Sequence, residues 1–350
     1  MAQTTGARVY GRQELVDLIG ALPRVRIAHL PTPLEEAPRL RAALGPDAPR
    51  ILIKRDDLTG FALGGNKVRH MEFRMGDIRA KGADSLVVMN VAQSNHARLH
   101  SSLAARFGLD AYIVKIPSRK DEPVNGNLLL DHIVGAHIIN APSAAPDDLQ
   151  ATFARVLGDL RAQGRVVYDV PNDPVSKAAG ACGYLLASVE LLEQLDALGV
   201  SAQHIFLASG TSSAGLALGG KLLGAPWRVH AISIDNPAAT VEAYMCAAAN
   251  GAAALLGLAE LLEPGDADVT DAFIGERYGV PSAAGLEALA LAGRTEGLIV
   301  DPVYTGKALS ALVHAVRAGE IGRDETVIFV HTGGLPITFA YAEEILEGIA

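Results

Sequence analysis

Short β-branched runs alternate with amphipathic helical stretches along most of the chain, and this alternation constrains the fold more than any other feature. The runs are RILIKRD, SLVVMNV, AYIVKIP, AHIIN, RVVYDV, HIFLAS, RVHAISI, LIVDPVY and TVIFVHTGG. Apolar runs of this length, separated by helical patterns, are typical of βα units whose strands form mainly parallel sheets. The sequence therefore predicts an α/β protein.

The domain organisation is predicted from where the strands fall. A chain of 350 residues is long enough for two domains. Strands near 85–91, 112–116, 136–140 and 166–170 are expected to form a smaller sheet, and the later strands a larger one. The segment DVPNDPVSKAAGACG, with two prolines, is the predicted return to the larger domain. The smaller domain is expected over 68–178 and the larger, cofactor-binding domain over 1–67 and 179–350.

Charge and cysteine usage exclude several classes of partner. The formal net charge is -9, and acidic and basic residues are interspersed, so neither a nucleic acid nor a membrane surface is an expected partner. The most apolar window, AAANGAAALLGLAELL, is interrupted by Asn250 and Gly251 and is predicted to be a buried helix. Two cysteines, Cys182 and Cys246, without CxxC spacing indicate a reducing compartment, and we expect the cytoplasm.

Lys67 stands at an unusual place, directly after two glycines and an asparagine in GGNKVRH. The apolar residues that follow it have helical spacing, so Lys67 is predicted to lie in a first helical turn. These apolar residues are Val68, Met71, Met75 and Ile78. From the residues alone, Lys67 is either a solvated surface charge or the amine on which the chemistry depends.

A second feature is the stretch FLASGTSSAGLALGG, in which an apolar strand leads through Gly210 to Gly215 into a helix. Hydroxyls, backbone amides and the helix dipole favour binding of a phosphate dianion there. The stretch matches neither GxxxxGK[ST] nor GxGxxG, so no motif supports the binding of a nucleoside triphosphate or a dinucleotide. The alternative is a helix that is merely well capped.

Polar residues also stand at other predicted strand ends. Ser94 or Asn95 is expected to cap a helix and to leave amides free for a carboxylate, although a cap with nothing bound fits equally well. The residues at two later strand ends are Asp301, Tyr304, Thr305, His331 and Thr332. No metal is expected, because HARLH, from His96 to His100, lacks the Glu of HExxH and a third ligand.

Eight blocks together carry a family resemblance. They are LPTPLEEAPRL, IKRDDLTG, GGNKVRHMEF, QSNHAR, NGNLLLDHIVGA, GTSSAGLALG, DPVYTGKAL and HTGG. In this order they resemble the pyridoxal-phosphate enzymes related to D-cysteine desulfhydrase and 1-aminocyclopropane-1-carboxylate deaminase, from about Leu30 to Pro336. The resemblance implies the tryptophan synthase β-subunit-like fold (fold type II), with two α/β domains, the cofactor pyridoxal 5'-phosphate between them, and a homodimer.

The resemblance also implies roles for individual residues. Lys67 resembles the lysine that forms an imine with the cofactor, Asn95 the residue that bonds the cofactor's phenolic oxygen, and Thr332 the partner of the pyridine nitrogen. The implied catalytic residues are Lys67, Ser94 and Tyr304. The implied phosphate cradle is Gly210, Thr211, Ser212, Ser213, Ala214 and Gly215. The implied contacts to a small amino-acid substrate are Ser94, Asn95, His96, Tyr304 and Thr305.

The reaction type is predicted from Thr305 and Thr332. A hydroxyl beside the ring nitrogen does not force the ring to be protonated, which favours loss of a β-substituent. In the deaminase branch we expect Glu and an aliphatic residue at these positions, so both threonines resemble the desulfhydrase branch. The predicted function is a lyase that converts a small β-substituted amino acid into a 2-oxo acid and ammonia, in the manner of D-cysteine desulfhydrase, which releases sulfide.

Two departures from the family pattern leave alternatives open. His70 stands where relatives commonly have a second lysine, and the phosphate loop reads Gly-Thr-Ser-Ser-Ala where they commonly have GTGGT. Another substrate such as cysteate or 1-aminocyclopropane-1-carboxylate, β-replacement, racemisation, and a non-catalytic ligand-binding protein are the alternatives. The sequence fixes neither the handedness of the substrate nor the leaving group.

Overall fold

The computed structural model describes residues 8–117, 124–259 and 261–349. The strands in these ranges are β1 (Leu34–Glu36), β2 (Arg50–Lys54), β3 (Ser85–Val91), β4 (Asp110–Ile116), β5 (His137–Asn140), β6 (Val167–Asp169), β7 (His204–Ala208), β8 (Arg228–Ile232), β9 (Asp268–Thr270) and β10 (Thr326–Val330). The helices are α1 (Arg12–Gly20), α2 (Pro38–Leu44), α3 (Lys67–Ala80), α4 (Asn95–Phe107), α5 (Gly126–Ile133), α6 (Pro146–Ala162), α7 (Pro174–Leu198), α8 (Thr211–Leu223), α9 (Ala238–Leu255), α10 (Ala283–Glu296), α11 (Thr305–Arg317), α12 (Leu335–Ala340) and α13 (Ala342–Ile349).

The strands form two sheets. One has four parallel strands in the order β5-β4-β3-β6, and the other has six in the order β1-β2-β10-β7-β8-β9. Only β1 runs antiparallel to its neighbour among the pairs of the described chain. The predicted α/β class is confirmed. The division of the chain at 68 and 178 stays a prediction.

Helices cover both faces of each sheet. In the six-stranded sheet, α1, α7, α8 and α9 pack on one face and α2, α10 and α11 on the other. In the four-stranded sheet, α3 and α4 pack on one face and α6 on the other. Strands that are buried on both faces need apolar residues at every position, which explains the continuous runs in the sequence.

The long helix α7 lies at the centre of the larger core and packs closely on α8. A Cβ atom added to Gly215 of α8 would lie 2.5 Å from Cβ of Tyr184 and 2.6 Å from the carbonyl oxygen of Ala181. Within the described ranges, one helical stretch, Val175–Leu198, is long and apolar enough to cross a membrane. Because 72% of its most apolar window is buried inside the protein, core packing accounts for its composition.

The run LIVDPVY was predicted to be a strand, and this prediction is wrong. The segment that follows α10 has no regular structure up to the turn before α11. Gly297 ends α10 in the left-handed conformation, and Pro302 has no backbone N–H to donate to a sheet. Leu298 and Val300 between them are buried in the core as an irregular segment.

A cluster of four buried charges ties α3 and α7 to β2. Arg69 of α3 donates to Asp56 at 2.8 and 2.9 Å and to Glu190 at 2.9 and 3.0 Å. Lys54 donates to Glu190 at 2.5 Å. Burial raises the pKa of Asp56, but the charge and hydrogen bonds of Arg69, with the charge of Lys54 and the hydrogen bond from Tyr184, together outweigh burial and lower this pKa to about 2. Each of the two cations is thus bonded to a carboxylate, and each of the two carboxylates to a cation.

Candidate active site

The loop before α3 joins two strand ends of the larger sheet. The backbone N–H of Asn66 donates to the carbonyl oxygen of Thr332 at 3.0 Å, just beyond β10. The side-chain amide of Asn66 donates to Oγ of Ser212 at 2.8 Å, in the first turn of α8. Lys67, the next residue, therefore begins α3 between the ends of β10 and β7.

Lys67 has the environment of a reactive amine. Its side chain is partly buried, and Nζ lies 5.7 Å from the ring centroid of Tyr304. The pKa of Lys67 is lowered to about 8. Burial is the main cause, followed by the positive charges of Arg98 and Arg74, and the negative charge of Asp301 opposes them. About a tenth of this amine is consequently unprotonated at pH 7, far more than of an ordinary lysine, and this fraction is able to act as a nucleophile or base.

Two glycines allow the loops that flank Lys67 and Thr332 to approach each other. Gly65 and Gly333 have φ angles of 109° and 92°, which favour glycine. A Cβ atom on Gly333 would lie 2.7 Å from Cα of Gly65, and one on Gly65 would lie 3.1 Å from the carbonyl oxygen of Thr332. Side chains at these positions would push the two loops apart.

The predicted phosphate cradle lies where β7 passes into α8. Gly210, with φ at 143°, turns the chain, and Ala214 is the first residue whose N–H donates within the helix, to the carbonyl oxygen of Gly210 at 3.1 Å. The amides of Thr211, Ser212 and Ser213 precede that bond and lie at the positive end of the helix dipole. This is a suitable site for a dianion.

Side chains from two other helices reach the cradle. Nε2 of His70, on α3, lies 3.1 Å from Oγ of Ser212, and the hydroxyl of Tyr244, on α9, lies 2.9 Å from Oγ1 of Thr211. Burial, with the charge of Arg74, lowers the pKa of His70 well below its usual value. His70 is therefore a neutral hydrogen-bonding neighbour of the cradle.

Two of the six residues predicted for the cradle have another role. The amide of Ala214 is already bonded to Gly210, and its side chain is fully buried. Gly215 lies in the contact between α8 and α7, where any side chain would collide with Tyr184. These two residues shape the helix behind the cradle and offer a phosphate no free donor.

The passage from β3 to α4 has the predicted capping arrangement. Oγ of Ser94 accepts from the amides of His96 and Ala97 at 3.2 and 3.1 Å. These two backbone amides therefore already donate to Ser94. The backbone amide of Asn95 does not take part in this cap. Oδ1 of Asn95 accepts from Nδ2 of Asn127, on α5, at 2.9 Å, which fixes its orientation.

His96 and His100 lie together, with ring centroids 4.2 Å apart. Nδ1 of His100 is 2.8 Å from the carbonyl oxygen of His96, and its Nε2 is 3.3 Å from Arg74. Burial, with the neighbouring positive charges, lowers the pKa of both rings. In the ranges that the structure describes, no group of three His, Cys, Asp or Glu residues is placed to hold a metal.

The turn before α11 is organised by Asp301. Its carboxylate accepts from the amides of Val303 and Tyr304 at 2.9 and 2.7 Å and from Oγ1 of Thr305 at 2.6 Å. This hydroxyl is buried and bonded, so Thr305 supports the turn, and its contact with a substrate stays a prediction. The hydroxyl of Tyr304 lies 2.5 Å from that of Tyr278.

Three residues of the site were not singled out by sequence reasoning. Asn66, which links Lys67 to the cradle, lies inside the GGNK motif and could have been found there. Tyr278, in ERYGVPS, and Asn127, in NGNLLL, have no chemical signal in the sequence, because their roles come from tertiary contacts with Tyr304 and Asn95.

Comparison with known proteins identifies the chemistry of this arrangement. Residues 25–333 match the family model of pyridoxal-phosphate dependent enzymes. The chain is 34% identical over 325 residues to the D-cysteine desulfhydrase of Salmonella typhi, which covers 91% of this chain and 96% of the relative. It is 33% identical over 333 residues to a Pyrococcus abyssi protein with the provisional name 1-aminocyclopropane-1-carboxylate deaminase, covering 94% of this chain and 97% of the relative.

Solved structures agree with these relatives. A crystal structure described as an ACC deaminase homologue superposes with a TM-score of 0.85 at 31% identity, covering 95% of this chain and 98% of the other. Threonine deaminase isoform 2 of Solanum lycopersicum, at 17% identity and a TM-score of 0.65 over 98% of this chain and 90% of the other, shares the fold. The chain therefore belongs to the pyridoxal-phosphate dependent enzyme family, has its fold type II architecture, and is a pyridoxal-phosphate-dependent lyase.

Proposed function

We propose that the enzyme eliminates the sulfur of D-cysteine, so that cysteine and water give a 2-oxo acid, hydrogen sulfide and ammonia. The observation that carries this substrate choice is the hydroxyl of Thr332, a neutral group buried directly beyond β10. Its backbone is bonded to Asn66, next to the reactive amine. The name of the Salmonella typhi relative, D-cysteine desulfhydrase, supports the same reaction.

The residues present fit pyridoxal phosphate. The amides of Thr211, Ser212 and Ser213, with Gly210 turning the chain, suit the phosphate, and Lys67 supplies the amine that would hold the aldehyde carbon. Asn95 and Thr332 suit the phenolic oxygen and the ring nitrogen. When bound, the cofactor draws electron density from the substrate's α-carbon, which makes the α-proton removable.

The chain's own residues account for the proton transfers. Nζ of Lys67, with its lowered pKa, would accept the α-proton. Burial raises the pKa of Tyr304 well above its usual value, so its phenol stays protonated and can donate to the departing sulfur. Oγ of Ser94 accepts from two amides, so its own proton is available as a second donor. The amide of Asn95 and the side chain of His96 remain candidates for contact with the substrate.

A substrate panel tests the proposal. The purified enzyme, saturated with pyridoxal phosphate, is given D-cysteine, L-cysteine, cysteate, D-serine and 1-aminocyclopropane-1-carboxylate, and sulfide, 2-oxo acid and ammonia are measured. We expect the highest kcat/KM for D-cysteine, with the three products in equal amounts. Turnover of the cyclopropane compound without turnover of D-cysteine would reject the substrate proposed.

The role of Lys67 is tested separately. Lys67→Ala should remove the visible absorption of the bound cofactor and reduce kcat at least about a thousandfold, because the base and the covalent anchor are both lost. Lys81→Ala, exposed beyond the end of α3, is the matched control and should retain both. A Lys67→Ala variant with wild-type absorption would rule out this assignment.

The same proposal extends to assembly and location. Exposed apolar residues lie around one cavity beside the loop that precedes Lys67, and they are a suitable surface for a second copy of this chain. We call them the apolar rim: Leu58, Leu63, Ile299 and Leu335, with exposed fractions of 46, 55, 50 and 41%. The two free cysteines support a location in the reducing cytoplasm. All strands of the four-stranded sheet lie between residues 85 and 169, which supports a smaller domain at 68–178.

A further inference from the structure

Arg98 of α4 is a buried cation without a paired carboxylate. Its side chain is 1% exposed. One terminal nitrogen donates to the carbonyl oxygen of Gly64 at 3.2 Å, while Nε and the other terminal nitrogen have no hydrogen-bond partner in the described chain. Buried guanidinium groups are normally paired, since an isolated charge in the interior is costly. The position of Arg98 therefore requires an explanation.

The backbone that Arg98 holds is strained. Within the loop from Gly60 to Gly65, the non-glycine residues Ala62 and Leu63 have φ angles of 46° and 64°. Each such residue costs on the order of 1 kcal/mol, so the loop keeps its conformation only because its surroundings fix it. The bond from Arg98 to Gly64 is one of these restraints, and it lies three residues before Lys67.

The charge of Arg98 also acts on Lys67. After burial, the guanidinium of Arg98 is the strongest influence that lowers the pKa of Lys67. The ionisable groups around Lys67 on the packed elements are Arg74 and His70 on α3, Arg98, His96 and His100 on α4, and Asp301 and Tyr304 before α11. The only carboxylate among them, Asp301, is already engaged by the backbone amides of its own turn.

We propose that Arg98 is a positioning residue for Lys67: its guanidinium holds the strained loop through Gly64 and places a buried positive charge, without an ion-pair partner in the described ranges, near the amine. This inference rests on the role proposed for Lys67. A paired arginine would hold the loop equally well, but its charge would be cancelled. Asp131, the carboxyl of the described chain that acts on Arg98, cancels little of this charge below about pH 7, because burial raises its own pKa to about 7.

The test measures the protonation of Lys67 directly, in the full chain freed of cofactor. Lysines are acetylated with a trace of acetic anhydride at pH values from about 6 to about 11, and the peptide that contains residue 67 is quantified by mass spectrometry. The wild type should show a midpoint at about 8. Arg98→Met should raise it by about one pH unit, because a buried positive charge nearby has been removed.

Two further variants separate charge from structure. Arg98→Lys keeps a cation and should shift the midpoint less than Arg98→Met. Arg161→Met, on the exposed side of α6, removes a surface charge and should leave the midpoint unchanged. An unchanged midpoint in Arg98→Met, with wild-type circular dichroism, would overturn the proposal. If Arg98→Met does not fold, Arg98→Gln takes its place as the neutral variant, and a wild-type midpoint in cofactor-free Arg98→Gln would be the refuting result.

A second readout distinguishes this proposal from the proposed function. The rate at which added pyridoxal phosphate becomes fixed by borohydride to residue 67 should fall about fivefold at pH 8 in Arg98→Met, in step with the smaller fraction of free amine. If borohydride fixes the cofactor elsewhere, the role of Lys67 is wrong, whereas the acetylation midpoint still reports whether Arg98 acts on that amine.

Discussion

Tyr278 shows how a residue without a sequence signal can matter to the reaction. Its hydroxyl lies 2.5 Å from that of Tyr304 and fixes the phenol that is proposed to donate to the leaving group. Tyr278→Phe should lower kcat roughly fivefold with little change in KM, because one hydrogen bond of about 1 kcal/mol is lost. Steady-state kinetics with D-cysteine measures this. Tyr112→Phe, on β4 of the four-stranded sheet, is the control and should stay near the wild type.

Asp131 of α5 predicts a dependence of stability on pH. Burial raises its pKa to about 7, more than the hydrogen bond from Ser101 and the charge of Arg98 lower it. Between about pH 4 and pH 7 the folded protein holds a proton on Asp131 that the unfolded chain has released, so stability falls as the pH rises through this range.

The expected slope is at most about 1.4 kcal/mol per pH unit, and Asp131→Asn should remove it. The measurement is the free energy of urea unfolding of the cofactor-free protein at about pH 5 and about pH 7. Asp159→Asn, exposed on α6, should leave the slope as it is. Equal slopes in the wild type and Asp131→Asn would show that Asp131 ionises normally in the folded protein.

At the scale of elements, the contact between α7 and α8 depends on a missing side chain. Gly215→Ala would place a Cβ atom 2.5 Å from Tyr184, and we expect a loss of about 1–3 kcal/mol in the free energy of unfolding. Gly158→Ala is the control, because nothing lies within 4 Å of its Cβ position in the exposed middle of α6. That change should stabilise by about 0.5–1 kcal/mol. Destabilisation by both changes alike would contradict the packing argument.

Elements were predictable where one physical signal decided them. Strands buried on both faces need continuous apolar runs, so β2, β3, β7 and β10 are readable from composition alone. The run from Leu298 to Val300 gives the same signal, but Pro302 and the turn around Asp301 prevent a strand. The short strands β1 and β9 have the sequences LEE and DVT, with one apolar residue each, so they lack an apolar run.

The site was predictable to the extent that it depends on local motifs. Lys67, the Ser94 cap and the start of α8 are each set by a few consecutive residues. The roles of Thr305 and Gly215 were not predictable, because they follow from Asp301 and Tyr184, which the fold brings into contact. Tertiary contacts therefore decide which members of a motif face a ligand.

For the whole molecule, the apolar rim predicts the state of assembly. The wild type should have twice the chain mass of 36.5 kDa by light scattering after size exclusion. Ile299→Asp and Leu335→Asp should shift the protein toward the monomer, since a charge on an apolar contact is costly. Leu198→Asp, equally exposed at the end of α7, should remain a dimer. A wild-type monomer, or dissociation by Leu198→Asp alone, would remove this surface from consideration.

The buried charges at Lys54, Asp56, Arg69 and Glu190 restrict which sequences can replace one another in evolution. Losing one member strands an opposite charge in the interior, a penalty of about 3–5 kcal/mol, whereas losing one of each sign costs far less. Relatives that lack Lys54 or Arg69 should thus also lack Asp56 or Glu190. We therefore expect these four positions to be substituted together when relatives are compared.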